Sequence, residues 1–298
     1  ARKLQDMLVD RINQYLQEIT HKFKLDPTQL IDMVVVGNTA IHHLFCGLPI
    51  KSLGEAPYVP AIQHSLSFPA SLHDVHIAAG AHIYLPPNIA GYVGADHVAA
   101  VLATRIQDSE QTLCLIDIGT NTEISLIHQG QMHACSCASG PAFEGAHIQD
   151  GMRAAPGAID QVKIENNQIE ISTIGQKPPS GICGSGILSV MAEMRRNQII
   201  DRRGTLNREH PLIDAQHKVL ILHTNERGQE IKITRKDVNE VQLAKGAIRS
   251  GIEILCQKAG IQPDQIDHFL IAGAFGNYLD LASAIEIGMF PDVPLDRY

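Results

Sequence analysis

A carboxylate followed by a glycine and three polar side chains is the strongest chemical signal in the sequence. Asp117 lies near the end of an apolar run, and Gly119, Thr120, Asn121 and Thr122 follow it. Successive backbone N–H groups in such a turn form a concave anion site, and threonine hydroxyls can add donors to phosphate oxygens. A carboxylate at a strand end suits a hydrated Mg²⁺ or an attacking water. The pattern predicts phosphate binding; the alternative is a plain hairpin in which Asp117 only accepts a backbone hydrogen bond.

Two glycine-rich segments further along the chain are weaker indicators of ligand binding. Gly181–Gly186 opens a predicted helix, and Gly184 and Ser185 place small residues at its N-terminus, where anions are favoured. No strand run directly precedes this segment, and its G-x-x-G-x-G order differs from the dinucleotide-binding fingerprint. Close packing of the loop against the helix is therefore a nearly equal alternative.

The second glycine-rich segment follows the last predicted strand and contains Gly273, Ala274, Phe275 and Gly276. A strand that ends in small residues offers a flat ledge for a planar base or a ribose phosphate. Because glycine is common after strands, this segment carries little weight alone.

Histidine and cysteine residues are numerous but form no recognised metal motif. The candidate ligands among the 15 histidines are His42, His43, His73 and His76, and no H-E-x-x-H occurs. Solvated or hydrogen-bonded histidines are the favoured interpretation. The six cysteines include no C-x-x-C pair, which argues against a zinc ribbon or an iron–sulfur cluster in this chain. Buried, reduced thiols are expected.

Composition narrows the class of protein. The 298 residues include 24 Lys plus Arg and 32 Asp plus Glu, a net charge of −8, and 44% are hydrophobic. These values exclude a disordered or fibrous chain, and the charge argues against a nucleic-acid partner, which would need a basic stripe. No apolar run reaches the ~20 residues of a membrane span and no signal peptide is visible, so we expect no membrane partner and a cytoplasmic location. Since a domain holds roughly 100–200 residues, the length predicts two lobes.

Hydrophobic periodicity predicts the elements that must position these residues. Residues 51–90 are expected to be irregular, with weak strand signals such as 75–79, and Asn38 and Thr39 to cap the second helix. The elements predicted before residue 109 are a helix (4–23), a buried strand (31–36), a helix (40–45) and a helix (92–106). Those predicted after it are a meander (112–118, 123–128, 131–136), a hairpin (162–164, 169–172), a helix (184–196), a hairpin (219–223, 230–233), a long helix that begins at a capping box of Thr234 and Asp237, and a buried strand (269–272).

The order of these motifs resembles the α/β, ribonuclease H-like, two-lobed fold that actin, sugar kinases and heat-shock chaperones share, the ASKHA fold. More closely, the chain is similar to the C-terminal ATPase domain of reductive activators of corrinoid proteins, a ferredoxin-containing corrinoid activation family. The resemblance covers nearly the whole chain. The segments that carry it are 34–44 (VVVGNTAIHHL), 117–123 (DIGTNTE), 138–156 (ASGPAFEGAHIQDGMRAAP), 181–187 (GICGSGI), 241–254 (VQLAKGAIRSGIEI) and 272–280 (AGAFGNYLD).

The resemblance implies an ATP-dependent and Mg²⁺-dependent activator that returns a Co(II) corrinoid protein to Co(I). It implies that Asp117 handles Mg²⁺ through water, or the attacking water itself. The residues implied to hold phosphate are Gly119, Thr120, Asn121 and Thr122; those on the adenosine side are Gln242, Lys245, Gly273, Ala274, Phe275 and Gly276. The implied electron source is an iron–sulfur cluster in a separate domain, and the implied partner is a corrinoid protein of cobalamin-dependent methyl transfer.

The sequence departs from the family pattern in ways that change the expectation for this chain. An ASKHA ATPase needs two phosphate loops, and the first, expected before residue 4, is absent, as is a ferredoxin-type cysteine segment. We therefore expect 1–108 to be an incomplete first lobe and 109–298 to be a second lobe with the second phosphate loop and the adenosine motif. We also expect a part of a longer protein, with the 2Fe–2S cluster in its missing N-terminal part, and weak or absent ATP hydrolysis by this chain alone.

Two other functions stay open. The chain could be an ASKHA activator of another radical or dehydratase enzyme, or a non-catalytic module that docks a partner through residues 51–90 and binds nucleotide poorly. A homodimer also stays open.

Overall fold

The chain forms two compact units, residues 1–107 and 108–298. The structure, a computed structural model, describes residues 2–214, 216, 218–273, 276 and 279–298. Each unit has its own buried cluster of apolar side chains. The interpretation of residues 1–108 as an incomplete lobe stays a prediction.

The first unit is a small three-stranded sheet with helices. Its sheet has the order β1-β3-β2, with β1 parallel and β2 antiparallel to β3. Val9, Phe45 and Ile83 belong to its buried cluster. Its described strands are β1 (Asp32–Val34), β2 (Leu66–Pro69) and β3 (His82–Leu85), and its helices are α1 (Arg2–Phe23), α2 (Thr39–Phe45), α3 (Lys51–Gly54) and α4 (Ala95–Thr104).

Helix prediction succeeds in this unit where the local signals are strong. The amphipathic helix predicted at 4–23 is confirmed as α1, and the helix predicted at 92–106 is the shorter α4. The predicted cap at Asn38 is confirmed, because its side chain accepts a hydrogen bond from the N–H of Ile41 at 2.9 Å.

Strand prediction is less successful here. The strand predicted as buried at 31–36 is the shorter β1, which is largely exposed: Val34 in β1 is 60% exposed, and Ile31 directly before it is 72% exposed. An apolar run favours burial, but β1 is at the edge of its sheet. The interval 51–90 is not irregular throughout, since it contains α3, β2 and β3, while 75–79 is not a strand and its Ala78 N–H donates to Leu30 O at 3.0 Å.

The second unit contains the chemically suggestive segments. The predicted meander, hairpins, long helix and final strand are confirmed with small changes at their ends, whereas β9, β10 and α7 were not predicted. Its described strands are β4 (Leu113–Ile118), β5 (Thr122–His128), β6 (Gln131–Cys137), β7 (Ala158–Glu165), β8 (Gln168–Thr173), β9 (Gly181–Ile182), β10 (Ile213–Asp214), β11 (Val219–Thr224), β12 (Glu230–Ile233) and β13 (His268–Ala272). Its helices are α5 (Gly184–Arg196), α6 (Arg235–Ala259) and α7 (Leu281–Glu286).

The central sheet of this unit brings two of those segments to one edge. Its order is β13-β4-β5-β6, with β13 parallel to β4 and the other neighbours antiparallel. Ala272 pairs with Asp117, and Ile118 pairs with Thr122. Because the carboxyl ends of parallel strands meet at the same edge, the residues after β4 and β13 must lie close together.

Helix α6 is anchored at its start by a buried carboxylate. The predicted capping box is confirmed: Asp237 accepts from the N–H of Thr234 at 2.8 Å, and its own N–H donates to Thr234 Oγ1 at 3.2 Å. Its other oxygen accepts from the N–H of Gln149 at 2.8 Å, and Asp237 is fully buried. One side chain therefore joins α6 to the segment before β7.

No helix among the described residues is long and apolar enough to cross a membrane. Within the same residues, no three His, Cys, Asp or Glu side chains lie together as metal ligands. His43 instead is hydrogen-bonded, with Nδ1 2.8 Å from Thr39 O and Nε2 accepting from the N–H of Ala61 at 2.9 Å.

Candidate functional site

One cavity of the second unit gathers residues from all three glycine-containing segments. Its volume is about 1030 Å³. Asp117 lines it near the end of β4 and Gly119 directly after β4; Gly184 and Ser185 line it at the start of α5, and Gly273 lines it after β13. Residues far apart in sequence therefore face one space.

The turn between β4 and β5 forms one wall of this cavity. The N–H of Gly119 donates to Asn121 O at 3.0 Å, which closes the turn. The hydroxyl of Thr120 donates to Oε1 of Glu144 at 2.5 Å, and Glu144 also lines the cavity. Thr120 and Asn121 themselves are therefore next to the cavity but do not line it.

Thr122 lies beneath the turn. It is fully buried, and its Oγ1 is 2.8 Å from Ser139 Oγ. The hydroxyl of Ser139 donates in turn to Thr120 O at 3.5 Å. In this arrangement Thr122 supports the turn from within the protein, and it does not line the cavity.

Gly273 allows β13 to end directly against Asp117. Its φ of +94° lies in a region that side-chain-bearing residues rarely adopt. A Cβ at this position would lie 2.4 Å from Ile118 O and 3.0 Å from Oδ1 of Asp117. The carboxylate therefore sits beside bare backbone.

Of the three predicted residues after Gly273, only one is described. The N–H of Gly276 donates to Gly273 O at 3.1 Å, and Gly276 does not line the cavity. Ala274 and Phe275 lie outside the described residues.

Gln242 and Lys245 on α6 do not line this cavity either. Gln242 packs against Gly204, where an added Cβ would lie 2.5 Å from its Nε2. Lys245 lines a second cavity, of about 790 Å³, and its ammonium donates to Ile287 O. Burial, together with the nearby Arg195, lowers the pKa of Lys245.

The start of α5 forms another wall. As predicted, no strand directly precedes the segment 181–186, since residues 177–180 form none; a two-residue strand, β9 (Gly181–Ile182), lies within the segment and pairs with β7. A Cβ at Gly186 would lie 2.1 Å from Ile159 O, so the loop and helix pack closely. Among the described residues no side chain caps the N-terminus of α5, so its first N–H groups are not bound by a capping side chain. Gly184 and Ser185 line the cavity at this N-terminus, and helix N-termini favour anions.

Three charged residues of the lining were not singled out in the sequence: Glu144, Arg153 and Asp160. The Oδ1 atom of Asp160 is buried and has no hydrogen-bond partner among the described residues. A buried carboxylate oxygen without a donor is costly, so this atom indicates a ligand that donates to it. The sequence feature that could have identified Asp160 is an acidic residue directly after two apolar ones at the start of a strand, Ala158–Ile159–Asp160.

The lining fits a nucleoside phosphate with a hydrated Mg²⁺. The volume is at the upper end of the ~300–1,000 Å³ typical of small-molecule sites. Carboxylates at Asp117 and Asp160 are the oxygen donors that Mg²⁺ prefers, directly or through water. Arg153 and the start of α5 favour phosphate. The apolar part of the lining includes Ile118, Phe143, Met152 and Ile174.

Comparison with known proteins adds two family matches. The model described as the C-terminal domain of RACo, the ASKHA domain, matches residues 111–298. The model described as the RACo middle region matches residues 1–109.

Similar individual proteins are known too. Corrinoid activation enzyme RamQ of Eubacterium limosum is 34% identical over 98% of this chain and 51% of its own length. The Co(II) methylated amine-specific corrinoid protein reductase of Methanosarcina barkeri is 27% identical over 96% of this chain and 56% of its own length. A solved structure of a reductive activator for corrinoid, iron-sulfur protein matches with a TM-score of 0.81 and 33% identity, over 98% of this chain and 48% of that one. The chain spans about half the length of these relatives.

Proposed function

The chain belongs to the family of RACo C-terminal ASKHA domains, and on that premise we propose that it is the ATPase portion of an ATP-dependent reductive activator of a corrinoid protein. The complete activator would return the Co(II) form of its partner to Co(I). The expected ASKHA fold is confirmed by the family match and by the similar solved structure.

The observation that carries this proposal is the convergence of Asp117, Gly119, Gly184, Ser185 and Gly273 on one cavity. Glycines leave backbone accessible at three of its walls, a helix N-terminus favours anions, and a carboxylate stands at the strand end. Accessible backbone N–H groups and a helix N-terminus can bind phosphate oxygens, and the carboxylate can bind Mg²⁺ beside them, directly or through water.

We assign roles to the residues on that basis. Asp117 would orient a Mg²⁺-bound or attacking water, and Asp160 would accept from a hydroxyl or a metal-bound water at its unpartnered oxygen. Mg-ATP, when bound, supplies the free energy of phosphoryl transfer. The residues proposed for phosphate are Gly119, Thr120, Asn121, Thr122, Gly184 and Ser185, with Thr122 acting through the turn. For the adenosine side we propose Gly273, Ala274, Phe275 and Gly276. Gln242 and Lys245 lie outside the large cavity, so we assign them no contact with a nucleotide bound there.

Several features of the complete activator are part of the same proposal. The electron would come from a 2Fe–2S cluster outside this chain, and the partner would be a cobalamin-dependent methyl-transfer protein in the cytoplasm. ATP would favour a closed form that binds this partner differently, and a ligand shifts such an equilibrium only by its difference in affinity for the two forms.

Calorimetric titration with Mg-ATP tests nucleotide binding by this chain. We expect saturable binding for the wild type and for Asp26→Asn, a control that removes an exposed carboxylate of the first unit. Asp117→Asn should bind at least about tenfold more weakly, because a charge that orients Mg²⁺ or its water is lost. A folded wild type without binding heat, but with retained binding of a Co(II) corrinoid protein, would leave only the docking module.

The complete activator tests the reaction. Purified full-length protein, a low-potential electron donor and a Co(II) corrinoid protein should yield the Co(I) absorption spectrum only when Mg-ATP is present. Equal Co(I) yield without ATP would overturn the proposal. Activation of a dehydratase instead of the corrinoid protein would favour the other activator class.

A further inference from the structure

Two cysteine side chains of β6 contact each other beside the start of β5. Cys135 and Cys137 are two residues apart on β6, so their side chains lie on the same face of the sheet. Their Sγ atoms are 3.9 Å apart. β6 is the last strand in the order of its sheet, and Cys137 pairs with Thr122 of β5.

Helix α6 covers this pair with backbone instead of a side chain. A Cβ at Gly251 would lie 2.3 Å from the Sγ of Cys137 and 3.3 Å from the Sγ of Cys135. The thiol of Cys135 also donates to Gly251 O at 3.9 Å. The glycine therefore makes the room in which both sulfurs lie side by side.

The two thiols differ in exposure and acidity. Cys135 is partly exposed, whereas Cys137 is buried. A hydrogen bond from Cys137 lowers the pKa of Cys135, against the opposing effects of burial, Cys114 and Glu123. The same hydrogen bond and burial raise the pKa of Cys137. Since the thiolate is the nucleophile, Cys135 is the thiol equipped to react first.

We propose that Cys135 and Cys137 form a dithiol oxidation site whose substrate is a small-molecule disulfide. The Cys135 thiolate attacks one sulfur of that disulfide, forms a mixed disulfide and releases one thiolate. Cys137 then loses its proton, attacks the sulfur of Cys135 and releases the second small thiol. Two electrons and two protons leave the protein thiols, and the small disulfide is reduced to two thiols.

The strand geometry permits the second step. Residues i and i+2 of a strand have Cα atoms about 6.6 Å apart, at the rise of roughly 3.3 Å per residue. Disulfides span Cα distances of ~4.4–6.8 Å, so a small adjustment of β6 brings the sulfurs together. An edge strand can make this adjustment more readily than a central one, because it is held by only one neighbour.

The site is connected to the large cavity through Ser139. The N–H of Ser139 donates to Cys137 O at 2.8 Å, and its hydroxyl holds Thr122 and Thr120 O. The next residue, Gly140, lines the cavity. Formation of the disulfide shifts Cys137 and weakens the hydrogen bonds by which Ser139 supports the turn. The affinity for nucleotide then falls, a consequence that rests on the proposed function.

Oxidised glutathione and peptide mass mapping test the site itself. Cys46, half-buried in the first unit with a pKa raised to about 11 by burial, is the internal control. Iodoacetamide should alkylate Cys135 at least about tenfold faster than Cys46. Oxidised glutathione should give a Cys135–Cys137 disulfide in the wild type, and Cys137→Ser should stop at a glutathione adduct on Cys135. Equal alkylation of Cys135 and Cys46, or no Cys135–Cys137 disulfide in the folded wild type, would overturn the proposal.

Mg-ATP titration of the oxidised and reduced protein tests the connection separately. We expect about tenfold weaker binding after oxidation, restored by dithiothreitol, and no change in Cys135→Ser treated in the same way. Unchanged affinity of the mapped disulfide form would refute the coupling. Absence of binding in the reduced form would instead count against the nucleotide function, and leave the dithiol site in place.

Discussion

At the scale of single residues, Asp117 can lie where it does because its neighbour in space, Gly273, has no side chain. Gly273 follows the strand that pairs with β4, and its φ of +94° lets the chain turn away beside the carboxylate. A side chain there would meet Ile118 O and Asp117 themselves. The same glycine therefore allows the backbone to turn and leaves space for the carboxylate proposed to orient Mg²⁺ or water.

Gly273→Ala should lower the free energy of unfolding and abolish most nucleotide binding. We expect a loss of about 1–3 kcal/mol, because the new Cβ combines a rare backbone conformation with a backbone clash. Gly246→Ala in α6 is the matched control: an added Cβ there meets nothing within 4 Å, so about 0.5–1 kcal/mol of stabilisation is expected. Urea unfolding and Mg-ATP titration measure both effects, and equal behaviour of the two variants would refute this account.

A second residue-scale feature is the burial of an unpaired imidazole in the first unit. His42 is 2% exposed, and its two ring nitrogens have no hydrogen-bond partner among the described residues. Burial, with a smaller contribution from His43, lowers its pKa from 6.5 to about 4. His42 therefore binds a proton more weakly in the folded protein than in the unfolded chain.

Acid should consequently destabilise the first unit. The contribution of His42 is complete above about pH 6.5, falls as the pH decreases toward 4, and changes little below that value. We expect His42 to lower the stability by roughly 2 kcal/mol at about pH 5 relative to neutral pH. Urea unfolding of the wild type and of His42→Gln measures this, and the variant should lose that part of the dependence. The part due to His73 and His97, whose pKa values burial also lowers, should remain. The exposed His21→Gln should keep the whole dependence; loss of the same part there as well would contradict the assignment to His42.

At the scale of elements, two capping boxes of the same type sit in different surroundings. The box at Asp26 begins a single 3₁₀ turn, with Asp26 and Gln29 exposed. The box at Thr234 and Asp237 begins α6, and its carboxylate also holds the N–H of Gln149. Only the second cap fastens a helix to the segment that leads to the cavity residue Met152.

Asp237→Ala should therefore destabilise the second unit much more than Asp26→Ala destabilises the first. Removal of Asp237 leaves the N–H groups of Thr234 and Gln149 without their charged acceptor, and because a hydrogen bond to a charged group contributes about 1.5–3 kcal/mol, we expect a loss of about 3 kcal/mol. Asp26→Ala removes an exposed cap and should cost clearly less. Chemical denaturation of both variants decides this, and equal losses would show that the contact with Gln149 contributes little.

At the scale of the whole molecule, the candidate site belongs to one unit. The residues that line the large cavity come from 117–273, and the buried cluster of the second unit includes none from the first. The second unit thus holds its own core and the proposed nucleotide residues.

Residues 108–298 expressed alone should fold and bind Mg-ATP with the affinity of the whole chain. Circular dichroism and calorimetric titration check the two expectations. This shorter chain should also lack the loss of stability between neutral pH and about pH 5 that we assign to His42. Loss of binding in a folded 108–298 would mean that the first unit supplies part of the site.

Features that are local in the chain can be predicted from its amino-acid sequence. The turn around Asp117, the capping box at Thr234 and the span of α5 each occupy a short stretch, and all were predicted at their positions. The resemblance to reductive activators of corrinoid proteins also rests on contiguous segments, and the family match confirms it. Side chains within a few residues of one another interact through local backbone geometry, so local sequence is sufficient.

Contacts between residues far apart in the chain could not be predicted in this way and follow from the three-dimensional fold. It joined Gly273 to Asp117, brought Gly251 onto the thiol pair, and left the Asp160 oxygen without a donor among the described residues. It also left β1 exposed and placed Lys245 in another cavity. Periodicity reports which face of an element is apolar, but sheet order and helix packing decide what covers that face, and those contacts join residues far apart in the chain.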